Sequence, residues 1–447
     1  MSYLRVTRTP LVRKMPLGMY LYVPSHSRLE TYSPVMEIDE STLSLLGLCD
    51  GTGTREDILE CLSEESGNPI GEFQDDLDEF ISYLVGEGVL EWVEEPEYVE
   101  PLYRGDRPFR ILIEVTSACN HRCPFCSTNR ETDRNELTLD DVIPLIKYVK
   151  EFRPSLFTIS GGEPLLKKDI VLYMVEQLSP VKEIGLYILT NGTVVTRDYA
   201  QELYDAGLRF ARVSVDGHTE ELYDNIRGKK GAFRRMVEGI KYLRDVGIHV
   251  TAVSMVSKLN SSYAREIKEF SIQIADNYIS GFDYLCGQGV GSDFLLNPEE
   301  RMDMRMLDLG PGEIETGVFP QNRCHVGEIL YIAADGDIFP CLYMNFPEFR
   351  LGNIREDDIR EIYRSEIMQE LLRLTVNDIE QCRECDYRYY CRGGCRGHAY
   401  GVSSSLYSPD PLDCKTFKAV ARRILEHGEA NTQRLMKELI ESTRNSG

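Results

Sequence analysis

The chain has 447 residues, enough for about three domains of ordinary size. Its 42% apolar and 28% charged residues make a globular composition, and no run of roughly 18 apolar residues predicts a membrane span. A net charge of −23 argues against nucleic acid or an anionic membrane as a partner.

That charge is concentrated at one end. Residues 1–100 hold 21 Asp/Glu against 6 Lys/Arg, a net of −15, so the other 347 residues carry only −8. Met1 to Met15 has basic residues but no apolar h-region, so no secretory signal is expected, and a cytoplasmic location is. Leu21 to Val23 is a short apolar run. Ser41 to Cys49 reads as a helix stopped by Gly51, and Thr54-Arg55-Glu56-Asp57 opens a second one as a capping box. Phe73, Leu77, Phe80, Ile81 and Leu84 recur at helical spacing. Gly86 and Gly88 then turn the chain into Val89-Leu90-Glu91-Trp92-Val93. Cys49 and Cys61 lie in these helices and are expected in the core. Three helices with terminal strands predict a small winged helix. Such folds often read DNA, which the −15 charge opposes. The segment resembles the PqqD-like recognition domain, including Leu48-Cys49-Asp50-Gly51-Thr52. That resemblance implies binding of a precursor-peptide leader as an added strand. A polar, proline-punctuated stretch from Glu94 to Pro108 closes a first domain, residues 1–100.

Strand and helix alternate from residue 110 to about 285. Strands are predicted at 111–115, 155–160, 185–190, 210–215, 249–255 and 281–285, and helices at 138–151, 167–178, 196–206, 233–246 and 262–276. Nearly continuous apolar runs suit parallel strands buried on both faces, so the class is α/β, a partial (β/α)6 TIM barrel over 101–310. In barrels the chemistry lies at the C-terminal strand ends. The first strand is followed there by Cys119-Asn120-His121-Arg122-Cys123-Pro124-Phe125-Cys126. Crowded thiolates select an iron–sulfur cluster or zinc, the latter needing His121 as a fourth ligand. Ser160-Gly161-Gly162-Glu163-Pro164, Thr190-Asn191-Gly192 and Ser214-Val215-Asp216-Gly217 end the next three strands, and Tyr223 to Gly228 follows.

This pattern resembles the radical SAM superfamily. The resemblance implies a [4Fe–4S] cluster on Cys119, Cys123 and Cys126. Its open iron chelates S-adenosyl-L-methionine, and the bound pair yields a 5′-deoxyadenosyl radical. It further implies cofactor contacts from Phe125, Gly161, Gly162, Glu163, Ser214 and Arg227, with Arg227 on the carboxylate. Asn191, Ser214 and Asp216 are equally readable as turn residues, and Val256 as an adenine contact or a core residue.

Residues 311–447 bring a second cysteine set: Cys324, Gly336-x4-Cys341, Cys382-x2-Cys385-x5-Cys391-x3-Cys395 and Cys414. Asp335-Gly336-Asp337 reads as a hairpin turn. Disulfides would need an oxidising compartment, and structural zinc is the other option. The spacing resembles the SPASM domain. That implies two auxiliary clusters, an outer one on Cys382, Cys385, Cys391 and Cys414 and an inner one on Cys324, Cys341 and Cys395. With three thiolates, the inner cluster would have an open site or a cap from Cys286. His325 and His398 adjoin these cysteines, as neighbours or as ligands. A single charged helix is expected over 412–443.

The three resemblances together imply a radical SAM enzyme of SPASM type. It would abstract hydrogen from a ribosomally made precursor peptide to cross-link or oxidise it, with an external electron donor such as flavodoxin or ferredoxin. Leu342 stands where sulfatase-maturing relatives carry an acidic residue, which speaks against formylglycine formation. Two alternatives are an enzyme of haem-synthesis type acting on a small molecule or tetrapyrrole, and a non-catalytic iron–sulfur protein that binds peptide. The glycine-glycine-glutamate turn opposes the second.

Overall fold

A computed structural model describes residues 2–7, 11–15, 18–22, 35–99, 108–126, 135–282, 292–308, 321–427 and 430–445. It divides into two compact units.

The first unit comprises residues 1–106 with 153–156 and 181–185. Strand β1 (Tyr3–Val6) lies between β5 (Asp50–Thr54) and β6 (Leu90–Val93), antiparallel to both. β2 (Leu11–Met15), β3 (Gly18–Tyr22) and β4 (Val35–Ile38) form a separate antiparallel meander. The three expected helices are α1 (Glu40–Leu48), α2 (Arg55–Ser66) and α3 (Gln74–Gly86). The capping box at α2 is real: Thr54 N donates to Asp57 Oδ2 at 2.8 Å, and Asp57 N donates to Thr54 Oγ1 at 3.2 Å. Leu4, Leu21, Leu46, Cys49, Ile81 and Leu84 form the core. Burial pushes the Cys49 thiol up to about 12, as for an inert core cysteine. Cys61 corrects the sequence reading, because it is exposed. The buried face of α2 centres on Ile58 and Leu59, and Cys61 falls on its flank. Inside this unit the buried Arg5 guanidinium donates to Glu91 at 2.8 Å and Glu97 at 2.9 Å.

The second unit holds everything else. Its six βα strands are β7 (Arg110–Glu114), β8 (Leu156–Ser160), β9 (Gly185–Thr190), β10 (Phe210–Ser214), β11 (His249–Val256) and β12 (Asn277–Phe282). Between them run α4 (Leu139–Phe152), α5 (Lys168–Leu178), α6 (Arg197–Asp205), α7 (Glu220–Arg227), α8 (Ala232–Asp245) and α9 (Ala264–Ile274), with α10 (Pro298–Asp308) beyond β12. The strands lie in chain order in one open sheet, parallel from β9 to β12, which is an incomplete barrel. The sixth strand starts four residues earlier than expected. Its register runs from Thr251 opposite Asn277 to Val256 opposite Phe282, and residues 283–285 of the expected strand lie outside the described residues. Cys286 lies outside the described residues.

The cysteine-rich end is continuous with this sheet. β13 (Ile329–Ile332) pairs in parallel with β7, and the hairpin continues to β14 (Asp337–Phe339) and β15 (Gly352–Asn353). Gly336 makes the expected turn at φ +87°, where a Cβ would also meet Asn353 Oδ1 at 2.9 Å. Short helices follow: α11 (Ile359–Arg364), α12 (Glu366–Arg373), α13 (Glu380–Arg383), α14 (Arg388–Cys391) and α15 (Arg396–Ser403). The expected terminal helix is two helices, α16 (Pro411–His427) and α17 (Ala430–Asn445). Among the described residues, no helix is long and apolar enough to cross a membrane.

Candidate cofactor site at the strand ends

The cysteine loop is anchored at its root by one carboxylate. Glu136 accepts from Thr116 Oγ1, Ser117 N and Ser117 Oγ at 2.7–2.9 Å. Burial opposes its charge, but these donors and Lys167 hold the carboxyl down at about 2. Arg355, from the cysteine-rich end, clamps the same segment. It donates to the carbonyls of Asn135 and Glu136 at 3.0 and 3.1 Å and pairs with Asp141 at 2.9 Å. Neither Glu136 nor Arg355 was identifiable from motif spacing, since their partners are distant in sequence.

The turn after β8 packs directly on this loop. Gly162 N donates to Thr116 O at 2.7 Å and Glu163 N to Ala118 O at 2.9 Å. A Cβ on Gly161 would stand 2.6 Å from Thr116 O, and one on Gly162 2.4 Å from Ala118 O. Both glycines are therefore required by backbone approach. Gly162→Ala is expected to push the loop aside at a cost of ~1–3 kcal/mol. Iron per chain and thermal unfolding would both fall, and unchanged values would refute this packing.

Glu163 is fully buried. Its carboxylate accepts from Leu165 N at 3.1 Å, Thr190 Oγ1 at 2.6 Å and Asn191 N at 2.8 Å, bracing the β8 turn against the β9 end. Burial raises its pKa against these donors. Asn191 Nδ2 donates to Asn120 Oδ1 at 2.8 Å, and Asn120 Nδ2 to Thr193 Oγ1 at 2.9 Å, so the β9 end grips the cysteine loop. Asn120 was not singled out in the sequence. His121 is buried, with Nε2 3.3 Å from Thr193 Oγ1. Burial, then Arg227 and other cations, lowers it to about 3, so it stays neutral.

The β10 end supplies a buried ion pair. Asp216 Oδ1 accepts from Met255 N at 2.8 Å, and its other oxygen pairs with Arg227. Arg227 also donates to Cys123 Sγ at 3.5 Å and lies 6.0 Å from the Phe125 ring centroid. Ser214 is half-buried, and its carbonyl accepts from the Tyr223 hydroxyl at 3.1 Å. Val256 is buried against Leu296. The structure thus brings Cys119, Cys123, Phe125, Gly161, Gly162, Glu163 and Arg227 together at one end of the sheet.

The second cysteine set divides into two. Cys324 and Cys341 pack on a shared patch of Val326, Met344 and Leu371. Burial and then the neighbouring Cys324 push the Cys341 thiol up to about 12. Cys395 caps α15, which lies against the turn after Cys341 so closely that a Cβ on Gly397 would sit 1.9 Å from Tyr343 O. Cys382, Cys385, Cys391 and Cys414 form the other group. Burial and mutual charge push Cys382 to about 11 and Cys391 to about 12. Asp410, missed in the sequence, ties the groups together. Its carboxylate accepts from Cys395 N at 3.1 Å, and its carbonyl from Cys414 N at 3.0 Å. Asp410 also faces His398 Nδ1 at 2.8 Å, while His325 Nδ1 faces Glu328 at 2.8 Å.

Thiols held this high need a cationic group to become thiolates. Among the described residues, no three His, Cys, Asp or Glu side chains converge on a single-ion position. The donors are thiols, with Cys382, Cys385 and Cys414 gathered around Cys391, and such sets fit iron–sulfur clusters.

Comparison with known proteins agrees. Residues 113–270 match the radical SAM superfamily, and residues 324–386 match the SPASM iron–sulfur cluster-binding domain. An AdoMet-dependent heme synthase of Methanosarcina barkeri is 26% identical over 339 residues, 68% of this chain and 95% of its own. The PqqA peptide cyclase of Bradyrhizobium diazoefficiens is 26% identical over 68% of this chain and 85% of its own. The mycofactocin maturase MftC of Mycolicibacterium smegmatis is 26% identical over 71% and 85%. In fold, Streptococcus suis SuiB bound to S-adenosylmethionine superposes with a TM-score of 0.63 at 15% identity, over 92% of this chain and 99% of SuiB. The AdoMet-bound anSMEcpe gives 0.56 at 18% identity over 74% and 99%.

Proposed function

We propose that this radical SAM enzyme, with its SPASM domain, modifies a ribosomally made precursor peptide by hydrogen abstraction. Its cofactors are S-adenosyl-L-methionine, the [4Fe–4S] cluster that binds it and auxiliary iron–sulfur clusters. The cluster pair supplies the 5′-deoxyadenosyl radical. In this reading Cys119, Cys123 and Cys126 hold the first cluster, and Gly161 to Glu163, Phe125, Ser214 and Arg227 shape the S-adenosylmethionine pocket. An external flavodoxin or ferredoxin provides the electron.

One observation carries the peptide reading. The likeness to SuiB covers 92% of this chain, more than residues 107–447 alone supply, so it extends into the acidic N-terminal unit. SuiB has also been solved with its precursor peptide SuiA. The N-terminal unit, in which β6 is an edge strand of the described sheet, is the proposed PqqD-like leader-binding module. The heme synthase relatives support a second reading, a tetrapyrrole substrate, because the match covers 95% of their length.

The test uses the intact enzyme with a precursor encoded beside its gene. A mass change on the peptide is expected, and removing the leader should lower kcat/KM for modification about a hundredfold, ~2.7 kcal/mol of binding. S-adenosylmethionine cleavage without peptide should persist. Equal modification of leaderless peptide would overturn the leader-binding role. Turnover of a tetrapyrrole with none of the peptide would overturn the peptide reading.

A further inference from the structure

Helix α16 has two unlike faces. Asp413, Thr416, Val420, Ala421 and Ile424 are buried, with Asp413 3.7 Å from the buried Arg301. Lys415, Arg422 and Arg423 are exposed, and Lys418 is half-buried. Helical spacing sets Lys418 one turn after Cys414 and Arg422 one turn further, with Lys415 on the same ridge. Lys418 lies beside the Cys385, Cys414 and Cys391 thiols, with its ammonium within hydrogen-bonding reach of Cys414. Lys415, Arg422 and Arg423 have no ion-pair partner among the described residues. On the following helix α17, by contrast, Arg444 holds Asp386 at 2.7 Å and Arg434 holds Glu438 at 3.2 Å. A chain of net charge −23 therefore presents a net basic ridge, with Glu426 at its far end as its one exposed carboxylate, and it begins beside the outer cysteine group.

We propose that this ridge is the docking face for a small acidic one-electron carrier protein of the flavodoxin type, which delivers its electron to the cluster held by Cys382, Cys385, Cys391 and Cys414. One electron leaves the carrier's flavin, which is oxidised by one unit, and enters the outer cluster, which is reduced by one. No bond forms and no proton moves. Charge complementarity selects the partner: an acidic carrier is repelled by most of this molecule and attracted here. The half-buried Cys385 and Cys414 thiols beside Lys418 place the electron's entry point next to the contact. The proposal rests on the outer-cluster reading.

The probe is a purified flavodoxin, titrated against the reconstituted full-length enzyme by calorimetry and followed by stopped-flow reduction of the clusters. Wild-type binding should weaken about tenfold between low and moderate salt, as the Debye length shortens from ~30 Å at 0.01 M to ~10 Å at 0.1 M. Lys415→Glu with Arg422→Glu should raise the dissociation constant about tenfold or more at low salt. The reduction rate, divided by the dithionite-driven rate of the same variant, should fall in step. The milder Lys415→Gln with Arg422→Gln should fall between, and serves if the reversal disturbs folding. Lys147→Glu with Lys241→Glu is the charge-matched control on other helices. Unchanged affinity in both ridge variants, loss equal to that of the control, or salt-independent binding would each overturn the proposal. Cys414→Ala tests the cluster reading separately. Full iron and an unchanged outer-cluster spectrum in that variant would refute the ligand set, whatever the docking result.

Discussion

Replacing Cys119, Cys123 and Cys126 together by Ala is expected to abolish S-adenosylmethionine cleavage, by a factor of ~1,000 or more, and to remove about four iron atoms per chain. The loop is held independently of its cluster. Glu136 grips its root, Gly162 and Glu163 receive its carbonyls, and Asn191 binds Asn120. The fold should therefore survive, and iron on the C-terminal cysteines should remain. Iron analysis, electron paramagnetic resonance and 5′-deoxyadenosine release check the three parts. Undiminished cleavage in the triple variant would remove the loop from the chemistry.

Asp216→Asn should be nearly as severe for a different reason. Asp216 is the carboxylate partner of the buried Arg227 guanidinium. Leaving one buried charge without its partner costs ~3–5 kcal/mol, whereas removing both is often close to neutral. Asp216→Asn should lower Tm by about 10 °C. The double variant Asp216→Asn with Arg227→Leu should recover most of that stability. It should not recover S-adenosylmethionine binding, because Arg227 also faces Cys123 and Phe125. Calorimetric unfolding and equilibrium binding separate the two effects. A single variant as stable as wild type would show that the pair does not matter energetically.

The strand-end motifs were legible because each is local. A glycine pair, a cysteine triplet or a Ser-x-Asp-Gly turn needs only a few consecutive residues to show its purpose. The contacts that hold these motifs against one another were not legible. Glu136, Arg355, Asn120 and Asp410 are ordinary polar residues in sequence, and their roles come from partners brought close by the fold. Arg227 shows the same limit. Its place near the site was readable, but its bond to Asp216 was not, because both lie in segments that also read as turn and helix cap. The early start of the sixth strand has another cause. An apolar run marked burial, while backbone pairing with β11 already begins at the polar Asn277, before that run. Cys61 failed for want of phase, since helical membership alone does not say which way a side chain points.

The pairing of β13 with β7 bears on how the protein is made. On the ribosome, β7 emerges early, with Ile111 and Leu112 among its residues, but the strand that covers its outer edge runs from Ile329 to Ile332. Until that late segment appears, β7 offers open N–H and C=O groups on that edge. Such an edge recruits other chains. Nascent chains should thus be most vulnerable to misassembly, and most dependent on holding factors, between synthesis of the sixth strand and of residue 332. A gene cut after the core would leave that vulnerability permanent, so inclusion bodies from such a product would reflect a missing strand rather than a missing metal.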